Sequence, residues 1–171
     1  MAHTHDKQQT AIHEAGHAVA HCRLSIEHDG AHIVPDDEAG LLGAAIGAGI
    51  RHVWSEPEAQ SMVIAFCAGY GALIAAGYPD DVAIAGTDDD FGQAQQLLSF
   101  WSLSGHLDDW KARAVQLMRK PENVAAVALV ARHLLDRERL DGEFVDVLVE
   151  VADGESTEAD LHRYLMMRSM A

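Results

Sequence analysis

The sequence predicts a mainly α, α+β fold, a helical domain with a small β-hairpin or sheet after its first helix, organised as a single domain over residues 1–171. Three observations lead there. Helix start and stop signals punctuate most of the chain. The only segments with strand-like composition fall between the first helix and about residue 49. With 171 residues, 49% hydrophobic and 23% charged, the chain is long enough for one compact domain with a core and too short for two. No internal repeat, low-complexity linker or shift of composition marks a boundary inside it.

The elements follow in order. Asp6 with Gln9 forms a capping box ahead of Ala11, Ile12, Ala15, Ala18, Val19 and Ala20, which predicts a first helix to about Arg23. Ser25-Ile26-Glu27, His32-Ile33-Val34 and Leu41 to Ile46 read as short strands, with a turn over Pro35 to Gly40. Pro57 suits the first turn of a helix reaching Ala76, stopped by Gly77 and Pro79. Pro79 to Asp90 reads as an acidic loop, and Phe91, Ala94, Leu97, Leu98 and Trp101 give the apolar face of a third helix. Further helices are expected at Leu107 to Lys120, Glu122 to Arg139, Gly142 to Ala152 and Thr157 to Met170, separated by Pro121, Asp141-Gly142 and Asp153-Gly154.

Composition removes several function classes. A formal net charge of −15 argues against a nucleic-acid or anionic-membrane surface. The two cysteines, Cys22 and Cys67, form no C-x-x-C pair, so a reducing cytoplasm is the expected setting. Met1 to Gln9 has no apolar core of a secretory signal. The long apolar run Met62 to Tyr78 is rich in Ala and Gly and flanked by Glu56, Glu58, Asp80 and Asp81. It is expected to be a buried central helix and not a membrane span.

Chemistry concentrates in the first helix, at His13-Glu14-Ala15-Gly16-His17, an H-E-x-x-H. One helical turn separates the imidazoles, so both project from one face toward one ion, and Glu14 stands beside them to accept a proton from the attacking water. Zinc suits two neutral imidazoles and needs a third protein ligand. His21 is eight residues from His13, about 12 Å along the axis, too far to share the ion. The longer H-E-x-x-H-x-x-G-x-x-H pattern fails, because position 20 is Ala and position 23 is Arg. Two acidic triplets remain, Asp36, Asp37 and Glu38, or Asp88, Asp89 and Asp90, and spacing alone does not choose between them. Other groupings are weaker. Ser102, Ser104 and His106 read as a loop, Cys67 as a small buried residue, Met166, Met167 and Met170 as packing, and Trp54, Trp101 and Trp110 as core anchors.

The run Ile12 to Val19 resembles the first zinc-binding helix of the peptidase domain of FtsH-type ATP-dependent zinc proteases. His32-Ile33-Val34-Pro35 followed by Gly40-Leu41-Leu42-Gly43 is similar to the strand-turn-strand of that domain. Ala65 to Ala76 is similar to its Ala-Gly helix, Gly86 to Ala94 to the segment with its distal aspartate, and Leu134 to Glu143 to its penultimate helix and turn. The likeness spans about Gln9 to Val151. It implies His13, His17 and Asp90 as zinc ligands, Glu14 as general base, and a domain working without its own ATPase, since G-x-x-x-x-G-K-[ST] is absent. Ala68 to Leu73 is uncharged where the family carries Arg and Glu.

The expectation is therefore a stand-alone zinc metalloendopeptidase acting on flexible peptides or proteins, with no nucleic acid, membrane or ATP as partner and no oligomeric state set by the sequence. A strand over Leu41 to Ile46 would hold an extended peptide by edge pairing. The alternative is a non-catalytic, zinc-stabilised binding or regulatory protein of the same fold.

Overall fold

A computed structural model describes residues 6–35, 43–47 and 53–169. Its order is α1 (Lys7–Arg23), β1 (His28–His32), β2 (Ala44–Gly47), α2 (Glu56–Phe66), α3 (Ala68–Ala75), α4 (Asp80–Ala83), α5 (Asp88–Phe100), α6 (Leu107–Met118), α7 (Pro121–Arg137), β3 (Arg139–Asp141), α8 (Gly142–Asp153) and α9 (Glu158–Ser169). The fold is mainly α with one small antiparallel sheet, as the sequence predicts.

Helix α1 starts on the Asp6–Gln9 capping box and runs through the middle of the molecule. Its small residues Ala11, Ala15, Ala18 and Ala20 are fully buried, together with Val19. Small side chains let other helices come close. At Gly16 a Cβ would stand 2.6 Å from both the Ala68 carbonyl oxygen and the Ala72 Cβ, so α1 and α3 cross at this distance only with glycine there. Ala126, Val130, Ala131 and Leu134 of α7 and Val145 and Leu148 of α8 close the same core. A second core joins Ala59, Met62 and Val63 of α2 to Ala94 and Leu97 of α5 and Trp110 of α6.

The sheet order is β2-β1-β3, which leaves β2 at an edge. Ala31 of β1 pairs with Ala45 on one side and Leu140 on the other. Gly30, at φ +114°, adopts a backbone that side chains disfavour, and a Cβ there would run into the Leu140 carbonyl.

Five local expectations need correction. Ser25 sits at φ 54° in the turn after α1, so Ser25–Glu27 is not a strand, and β1 ends at His32, leaving Ile33 and Val34 outside it. The helix expected from Pro57 to Ala76 breaks at Cys67, and its halves α2 and α3 are bent by 46°. The acidic loop holds the short helix α4 and the first turn of α5. Helix α7 stops at Arg137 on Glu138, which takes a left-handed conformation at φ 63°, and the next residues form β3. Leu41, Leu42 and the turn over residues 36–40 lie outside the described residues. No single helix among those described is long and apolar enough to cross a membrane; the bent pair α2–α3 reaches that length and composition only jointly.

Candidate metal centre

Five polar side chains are buried along α1, at Thr10, His13, Glu14, His17 and His21. Burying such groups costs free energy unless partners satisfy them, so this helix carries more than packing. His13 and His17 lie one turn apart, with Nε2 atoms separated by 3.0 Å. Asp90, from the first turn of α5, places Oδ2 at 3.2 Å from both nitrogens. These three donor atoms form one of two groups among the described residues with the residue types and proximity to hold a metal.

Each member is positioned by identifiable structure. The His17 Nδ1–H donates to the Ala65 carbonyl at 2.8 Å, in the last turn of α2, where helix carbonyls lack intrahelical partners. That bond commits Nδ1 and turns Nε2 toward Asp90, the orienting role an outer hydrogen bond plays for a metal-binding imidazole. Gly69, just past the bend, presents only hydrogen to the rings: a Cβ there would stand 2.5 Å from His13 Cε1 and 2.6 Å from His17 Nε2. On α5, Asp88 and Asp89 are exposed while Asp90 turns inward, since successive helical residues point in different directions. Phe91 fixes that orientation by packing edge-on against Tyr70, with ring centroids 5.9 Å apart, and the Lys111 ammonium lies over both rings. Of the other triplet, Asp36, Asp37 and Glu38 lie outside the described residues.

The electrostatics are those of a coupled cluster. Burial opposes charge on His17, but attraction and hydrogen bonding from Asp90, with help from Glu14, outweigh it and hold the imidazole up at about 9. Burial likewise resists charge on Asp90, yet His17 and His13 hold its carboxyl well below the usual range. Glu14 is pushed up by burial, and His13, His17 and the Ala45 backbone amide pull it back only in part. Two imidazole nitrogens and one carboxylate oxygen, converging with a buried carboxyl alongside, are chemically suited to zinc held by three protein ligands with one position left for solvent or substrate.

His21 takes no part in this group. Ser102, Ser104 and His106 lie in a loop where His106 begins α6, and Cys67 is buried. One of the three tryptophans departs from expectation. Trp110 is a core anchor and Trp101 packs against the same cluster, whereas Trp54, just ahead of α2, is 79% exposed. Met166 and Met167 also point outward, on α9, and Met170 lies outside the described residues. A second donor group, Cys22, His28 and Asp146, had no signal in the sequence, because its members are scattered and match no spacing motif. No family model matches the chain, and no curated protein matches it.

Proposed function

We propose that this chain is a zinc-dependent metalloendopeptidase of FtsH peptidase-like type, a single domain hydrolysing flexible or unfolded polypeptides. The convergence of His13 Nε2, His17 Nε2 and Asp90 Oδ2 at 3.0–3.2 Å beside the buried Glu14 carries this reading. His13, His17 and Asp90 would hold the ion, which when bound acidifies water and polarises a carbonyl. Glu14 accepts the proton of the attacking water at its carboxylate and returns it to the leaving amine. Its place one residue from His13, with the Ala45 amide bonded to it, keeps that carboxylate next to the site without making it a ligand.

Strand β2 supports a peptide substrate. Among the described residues it is an edge strand, and its Ala45 amide bonds to Glu14, so an extended chain pairing there would run past the base. The proposed substrates are flexible segments because edge pairing takes up only extended, unfolded chain. The proposed setting is a reducing cytoplasm, consistent with two free cysteines, without nucleic acid, membrane or ATP as partner.

Glu14→Gln tests the assignment. Zinc content measured by elemental analysis should equal the parent's, while casein hydrolysis should fall by about 10²- to 10⁴-fold. Parental hydrolysis in the variant would exclude Glu14 as base. A zinc-loaded parent that cleaves nothing would leave the non-catalytic binding protein.

A further inference from the structure

Outside the histidine–aspartate site, the end of α1, the start of β1 and the middle of α8 meet at a second group of donors. Cys22 Sγ lies 3.5 Å from His28 Nε2 and 3.3 Å from Asp146 Oδ1, and His28 Nε2 lies 3.2 Å from the same Oδ1. Three kinds of donor therefore face one point. The His28 side chain is only 6% exposed, while Asp146 is 57% exposed, so the group is anchored inside and open on one side to solvent.

A thiol, an imidazole and a carboxylate also suggest a nucleophilic triad, and the geometry excludes it. In a triad the carboxylate orients the base through one ring nitrogen while the other faces the nucleophile. Here Nε2 faces both Cys22 and Asp146, and His28 Nδ1 is buried without a hydrogen-bond partner among the described residues. One nitrogen, one sulfur and one oxygen aimed at a common point is the arrangement of ligands around an ion.

We propose that Cys22, His28 and Asp146 form a second metal site, for a zinc-class divalent ion, with a fourth position open to solvent. Thiolate sulfur and imidazole nitrogen select such an ion over calcium or magnesium, which take oxygen ligands. Binding releases the Cys22 thiol proton to solvent, so thiolate and carboxylate together neutralise the divalent charge. The ion would join α1, β1 and α8, and Cys22 lies on the same helix as His13 and His17. Its occupancy thus steadies the far end of the helix that carries the first site.

Cobalt(II) titration of the metal-free protein under reducing conditions separates the two sites, because only a thiolate ligand gives sulfur-to-cobalt charge-transfer absorption. The parent should take up two equivalents and develop that near-ultraviolet band. Cys22→Ser should lose the band and one equivalent, and His13→Ala should lose one equivalent and keep the band. Asp146→Asn, at an exposed position that folding tolerates, should bind the band-forming cobalt about tenfold or more weakly. A parent without the band at saturation overturns the site, as does a band that persists in Cys22→Ser, which would place cobalt on Cys67, or an unchanged affinity in Asp146→Asn. One equivalent with the band upholds this site and defeats the histidine–aspartate site; one equivalent without it does the reverse.

Discussion

Gly69 shapes the candidate metal centre by lacking a side chain. With a Cβ placed 2.5–2.6 Å from both rings, Gly69→Ala must push His13 and His17 apart or off their rotamers, although alanine favours the helix itself. Zinc affinity should fall about 10- to 100-fold with helical content retained, as read by competition with a chromophoric chelator and circular dichroism. Gly92, on α5 with nothing within 4 Å of its would-be Cβ, is the matched control. Gly92→Ala should leave zinc binding unchanged and raise stability by up to about 1 kcal/mol. The histidine pair and Glu14 were legible in the sequence because their geometry is local, one turn of one helix. The carboxylate was not, because Asp90 is 77 residues from His13 and only tertiary packing brings it there. Its choice over Asp88 and Asp89 rests on a resemblance; in the structure Asp90 is the member of the three that turns inward. Cys22, His28 and Asp146 had no local signature at all.

The helices themselves were legible where the chain marks their ends. Asp6 with Gln9, Pro57, Pro121 and Gly154 all act as start or stop residues in the structure. What escaped were features set by neighbours. The break at Cys67 occurs inside an apolar run without proline, and β3 is three residues long and exists by pairing with β1. The union of the ends of α1 and α8 is equally tertiary: Arg23 donates twice to Asp153, at 2.6 Å each, and once to Asn123 of α7 at 2.6 Å. Hydrogen bonding to Arg23 lowers the Asp153 pKa below its ordinary value, so the folded state resists protonation where the unfolded chain accepts it. The contribution is complete above about pH 4 and disappears as pH falls through the lowered folded value. Asp153→Asn should therefore cost about 1–2 kcal/mol at pH 7 in urea unfolding, with the difference from the parent shrinking steadily below pH 4.

Over the whole molecule, a net charge of −15 creates a field that extends beyond any one contact. Flexible peptides rich in Lys and Arg should be cleaved faster than acidic peptides of equal length, with the advantage residing in kcat/KM. Raising the salt from about 0.05 to 0.5 M should erase most of that preference, since the screening length then falls to a few ångströms. Equal rates for both peptides at low salt would show that local contacts, and not the field, select substrate. The separation of Asp90 from the histidines also bears on synthesis. The ribosome delivers both imidazoles early, but a nascent chain that has not yet released α5 lacks the third ligand. The three donor atoms can therefore meet only after α5 has emerged, so any ion they share is captured after the helix that carries both imidazoles has been made.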